Sequence, residues 1–230
     1  MSQLFFGPDG TPLSKPEEVI CFLGKRDKHW NKDRSAYQAA YSWFTAGGLP
    51  DPIQNILATD STFNGATLQK AIFEKKTRLD TYGRDSQTDI VAIIKTSSGL
   101  AVVGVEAKVD ETFGPRVHEW NDYTPGKLRR LVGLLDRLGV RSGRIGSLRY
   151  QLFHRTAAAV IEAEQNNAPD AAMVVQSFDK GRAGFTDFRD FAEVFGTPIS
   201  QPGELSQPKK IGSVTIRLGW TENPMFVART

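Results

Sequence analysis

The period of the apolar positions changes along the chain, and each change predicts an element boundary. Residues 1–34 mix proline, glycine and charge without a sustained period, which predicts a loosely ordered lead-in ahead of a single domain over 35–230. After Asp33, the positions Ala36, Ala39, Ala40, Trp43 and Phe44 recur at helical spacing, and Gly47-Gly48 with Pro50 stops that helix. A short helical turn is expected at 53–57. Residues 66–82 read either as a helix or as a helix running into a strand.

The period then shortens. Residues 89–95 and 100–109 are two β-rich runs separated by Thr96-Ser-Ser-Gly99, which reads as a hairpin. Both runs are apolar at odd and even positions, so the hairpin should be covered on both faces. Thr124-Pro125 opens a helix whose stripe is Leu128, Leu131, Val132, Leu135 and Leu138, ended by Gly139. A second helix is expected over 147–165, a strand over 172–178, a helix over 185–195, a loop over 196–210 and a last strand over 211–218. The sum is an α/β domain with a mixed sheet, an antiparallel hairpin meander plus further strands, flanked by helices.

Composition narrows the class. The 230 residues are 40% hydrophobic and 24% charged, ordinary values for a globular chain able to bury a core without staples. Cys21 is the only cysteine, which excludes an internal disulfide and a CxxC zinc knuckle. The N-terminus lacks the basic start and long apolar core of a signal peptide, and no stretch has the length of a membrane span; cytoplasmic localisation is the expectation. Charge is unevenly spread. Between Lys127 and Arg155 eight basic residues meet one acid, Asp136, so this segment carries +7 and the remainder −4 of the net +3. Seven of the eight are arginines, which suit planar, bidentate partners such as phosphates.

The motif survey excludes several chemistries. There is no Walker A loop, GxGxxG, HExxH or GxSxG, and His29, His118 and His154 lack metal-ligand spacing. What remains is Glu106-Ala107-Lys108 at the end of an apolar strand. The same pattern at Glu74-Lys75-Lys76 lies in a charged stretch. If Ser97 and Ser98 form the turn, residues whose numbers sum to 195 face each other, so Asp89 lies opposite Glu106. Lys108, two residues on, emerges on the same face. Two facing carboxylates repel, and a divalent cation such as magnesium would relieve them.

Asp89, a sixteen-residue gap and Glu106-x-Lys108 resemble the active-site signature of the PD-(D/E)XK nuclease superfamily, although Thr88 stands where that signature has proline. Ser86-Gln-Thr-Asp89, residues 105–114 and residues 149–156 are similar to a bacterial branch of it. The resemblance implies a restriction-endonuclease-like fold: a helix, a three-stranded meander with the acid on its second strand and ExK on its third, then a helix and a strand. It implies a magnesium-dependent endonuclease, with manganese as an alternative metal, acting on double-stranded DNA. Asp89, Glu106 and the Ala107 carbonyl would hold the metal, and Lys108 and Gln151 would complete the catalytic set. A further acid is expected on the first core helix, with Glu74 the first candidate, then Asp85 and Glu111. Gln151, His154 and Arg155 share one helical face, and Arg141, Arg144, Arg149 and Arg155 are the expected contacts to nucleic acid. A homodimer is compatible with the sequence, and a membrane partner is not expected.

Two other classes fit the same residues. One is a nucleic-acid-binding or regulatory module on this fold whose catalysis has lapsed. The other is a protein whose basic helices meet an acidic partner.

Overall fold

β-branched runs that are apolar on both faces build a seven-stranded sheet buried between two helical layers in the computed structural model, which describes residues 3–24, 26–179 and 181–227. Residues 1–2 and 25 of the expected lead-in, and 180 and 228–230 of the expected domain, lie outside the described residues. The strands are β1 (Phe5–Phe6), β2 (Thr67–Thr77), β3 (Ser86–Thr96), β4 (Gly99–Lys108), β5 (Asp170–Ser177), β6 (Lys209–Ile211) and β7 (Val214–Glu222). The helices are α1 (Arg26–His29), α2 (Ser35–Ala46), α3 (Asp51–Leu57), α4 (Val117–Trp120), α5 (Pro125–Leu138), α6 (Tyr150–Gln165) and α7 (Phe185–Phe195). The sheet order is β1-β2-β3-β4-β5-β7-β6. The pairs β1–β2, β4–β5 and β5–β7 are parallel, and β2–β3, β3–β4 and β6–β7 antiparallel. The architecture is a mixed α/β fold.

Each face of the sheet carries its own core. On one side Val91, Val102, Met173, Val175 and Leu218 pack against α5, α6 and α7; on the other Ile90, Ala92, Val103, Val105 and Val174 pack against α2 and α3. This double cover is what the unbroken apolar runs of β3 and β4 require. At Gly104 of β4 an added Cβ would lie 3.1 Å from the Cβ of Ala159, so α6 approaches the strand as closely as a missing side chain permits. That approach sets the depth of the site.

Several expectations change. The lead-in is packed: Phe5, Leu13, Val19 and Leu23 are buried, and β1 adds a strand beside β2. Residues 67–77 are a strand and contain no helix. A register shift between Leu68 and Lys70 breaks the alternation there, which conceals the period of two. On α5 the buried positions are Arg130, Leu131, Leu134 and Leu138, whereas Leu128 and Val132 are exposed. The helix is rotated so that Arg130 reaches Asp80 at 2.8 Å. α6 starts at Tyr150, after a 3-10 turn at Ile145–Ser147. The expected loop over 196–210 ends in β6, which turns through Gly212 at φ 56° into β7. α7 has the expected bounds. No helix among the described residues is long and apolar enough to cross a membrane.

Candidate active site

Two antiparallel pairings bring three acids into a row. β3 pairs with β4 as far as Ile90↔Val105, so the next position sets Asp89 across from Glu106. β2 pairs with β3 at Phe73↔Ile90 and Lys75↔Thr88, and Glu74 lies between them, across from Asp89. Where the β3–β4 ladder ends, the Ala107 N–H donates to Oδ2 of Asp89 at 2.8 Å. Glu74 belongs to β2 and not to a helix, which corrects that part of the expectation. Its φ of 54° is the left-handed region, a strain of about 1–3 kcal/mol that tends to persist at functional sites.

Glu106 is the hub. It is 2% exposed, and three side chains hold its two oxygens. Lys108 Nζ lies 2.9 Å from Oε1, Gln151 Nε2 donates to Oε1 at 2.7 Å, and Arg155 Nε donates to Oε2. Lys108 also donates to Gln151 Oε1 at 3.2 Å, and its ammonium stands 5.1 Å from the Phe113 ring centroid. Gln151 and Arg155 sit one turn apart on α6, so the helix that Gly104 admits supplies both.

The electrostatics divide the three acids. Burial would raise Glu106, but Arg155 and Lys108 outweigh it and hold its carboxyl at about 2. Burial pushes Glu74 up to about 7, against a 2.5 Å hydrogen bond from Gln87 and the attraction of Arg155. Asp89 is raised well above the usual carboxylate range by burial and by the charges of Glu106 and Glu74. Two cations thus face three carboxyls, and a proton supplies what is missing.

Ser86 and His154 flank the hub. Arg155 Nη1 donates to Ser86 Oγ at 2.9 Å, so the hydroxyl hydrogen is free for His154 Nδ1, also at 2.9 Å. Arg155 Nη1 also lies 3.3 Å from His154 Nδ1, and because arginine has only donors that nitrogen accepts, with the ring hydrogen on Nε2. Burial and then Arg155 lower its pKa well below the ordinary value and keep it neutral. A cavity of about 210 Å³ opens beside it, lined by Arg84, Ser86, Trp120, Arg130, Tyr150 and His154 among others.

The other candidates fall elsewhere. Asp85 is exposed in the loop before β3. Glu111 accepts from the Ser35 and Val109 N–H groups at 3.2 and 2.7 Å, which secures the start of α2 and makes it a structural residue. Arg155 is 8% exposed and belongs to the hub, not to a surface. Arg149 is drawn to Asp187 at 2.7 Å and to the Gly114 carbonyl. Arg141 and Arg144 do face solvent, paired with Asp136 and Glu193 at 2.7 and 2.9 Å. The +7 segment is therefore largely matched by acids that the fold brings to it. Ser86, a hub member, carries no signal in the sequence beyond its place three residues before Asp89.

Among the described residues, no group of three or more His, Cys, Asp or Glu is arranged to hold a metal ion. A divalent cation is not the sole means of relieving the facing acids, since Arg155 and Lys108 supply counter-charge. The chemistry of the donor set still suits a hard divalent cation: oxygen donors alone, with carboxylates in excess of the neighbouring cations and Asp89 partly open to solvent. By fold and site this is a mixed α/β protein with a buried carboxylate, lysine and arginine cluster at one end of its sheet.

The chain belongs to the family described as a domain of unknown function, DUF6946, whose model matches residues 12–225. Neither a curated protein nor a solved structure matches the chain.

Proposed function

We propose that the protein is a metal-dependent nuclease that hydrolyses phosphodiester bonds in DNA. The observation that carries this reading is the row Glu74, Asp89 and Glu106 on three neighbouring strands, with Lys108 on the face of Glu106. The order α2, the meander β2–β4, α6 and β5 is that expected of the restriction-endonuclease-like fold of the PD-(D/E)XK superfamily, and it supports the same reading.

Asp89, Glu106 and the Ala107 carbonyl would hold magnesium or manganese, with Glu74 as the further acid. Bound there, the ion supplies charge to the scissile phosphate and lowers the pKa of a water that it holds. Lys108 presents a fixed ammonium to the charge that builds on the phosphate oxygens. Gln151 keeps Lys108 and Glu106 in register by bonding to both. Arg141 and Arg144 exchange their exposed carboxylate partners for backbone phosphates, an exchange that costs little because surface pairs are weak.

One observation favours a second reading. Both Glu106 oxygens already have partners within the chain, as a nucleic-acid-binding module with lapsed catalysis would have. Plasmid DNA incubated with the purified protein in magnesium, manganese or EDTA separates the two. The nuclease reading expects cleavage in metal only, and a loss of about a hundredfold or more in Lys108→Ala. Duplex binding without cleavage by wild type would establish the lapsed module, and cleavage that survives EDTA would refute the metal dependence.

A further inference from the structure

This inference rests on the nuclease reading. We propose that Arg155 is a resident stand-in for the divalent cation, which must leave Oε2 of Glu106 before a metal ion can occupy the site.

Among the described residues, Glu106 is the only acid of the row with a cation at bonding distance, and it has two. Lys108 belongs to the signature shared with the superfamily. Arg155 does not: it is an additional positive charge, supplied by α6 at the carboxylate that a metal would need. A guanidinium and a divalent ion cannot share one carboxylate oxygen without strong repulsion, since like charges that close repel even at the effective dielectric of a protein surface. The surroundings suit a movable guanidinium. Ser86 Oγ holds Nη1 independently of Glu106, and His154 next to it, kept neutral by burial, adds no competing charge. Arg155 can therefore give up the carboxylate and keep an anchor. The released face of its planar fork is then a bidentate donor for a phosphate oxygen pair.

The arrangement makes the protein stable without metal at the expense of metal affinity. A merely structural arginine would stabilise the fold equally with and without the ion. A stand-in makes the two cations mutually exclusive, so their effects on stability and binding are linked.

The test compares wild type, Arg155→Met and Arg155→Lys by calorimetric titration with magnesium chloride, and by thermal melting in EDTA and in magnesium. Arg155→Met is expected to melt below wild type in EDTA, to recover part of that deficit in magnesium, and to bind magnesium at least about fivefold more tightly. Arg155→Lys, which keeps the charge, is expected to stay within about twofold of wild type. If the methionine variant does not fold in either buffer, Arg155→Gln, which retains a donor for Glu106 without the charge, carries the same comparison. Magnesium effects of equal size in wild type and the neutral variants overturn the stand-in and leave the nuclease reading in place. No magnesium effect on any of these proteins overturns both.

Discussion

Glu74, like Asp89, is an acid whose ionisation its surroundings oppose. Its carboxyl is pushed up to about 7 by burial, whereas in the unfolded chain it titrates near 4.5. The folded state therefore holds a proton between those values that the unfolded state has lost. Stability falls as pH rises from about 4.5 to about 7, by an upper bound of about 3 kcal/mol, and stays lower above that. Glu74→Gln should flatten this part of the profile and raise the melting temperature at pH 8 in EDTA, where urea unfolding at several pH values would reveal the change. An unchanged slope would mean that the proton resides elsewhere in the cluster. At this scale the sequence is informative about Asp89, Glu106 and Lys108, because a two-residue turn fixes the register and a period of two fixes the face. It is misleading about Arg155. Helical spacing links that residue to Gln151 and His154 but does not say how deeply the shared face is buried.

Among the elements, α6 has the most consequence, since it delivers Gln151 and Arg155 across a contact that Gly104 makes possible. Gly104→Ala would place a methyl carbon 3.1 Å from Ala159 Cβ and force the helix outward by a few tenths of an ångström. The expected cost is about 1–3 kcal/mol by thermal unfolding, together with weaker metal-dependent cleavage as Gln151 and Arg155 move off Glu106. Full activity in a destabilised variant would uncouple the packing from the site. Nothing in the sequence singles out Gly104, because its role depends on a neighbour 55 positions away. The same limit explains the other errors among elements. The register shift near Gln69 hides the strand character of β2, and α5 has apolar residues on two sides, Leu128 and Val132 outside as well as Leu131 and Leu134 inside. Periodicity gives the number of stripes. The partner, here α6 together with Asp80, decides which one is buried.

For the molecule as a whole, charge is the property that folding rearranges most. The segment from Lys127 to Arg155 is strongly basic in sequence, yet Asp80, Asp187, Glu193 and Glu164 come to it from distant positions. Summed formal charge thus overstates the field that a polyanion would meet. Arg141 and Arg144 keep guanidinium groups that are largely exposed. The double substitution Arg141→Ala with Arg144→Ala should weaken binding to any DNA duplex alike and reduce the salt dependence of the binding constant by about two logarithmic units per unit of log salt. Fluorescence anisotropy at several salt concentrations would measure it, and an unaltered slope would exclude this face from contact.

The lateral margins of the sheet bear on assembly. β1 at one border is two residues long and β6 at the other is three, too little backbone for a neighbouring molecule to pair against. Among the described residues these two short strands give strand addition little to build on, which favours helices or loops as the surface through which a second copy would meet it.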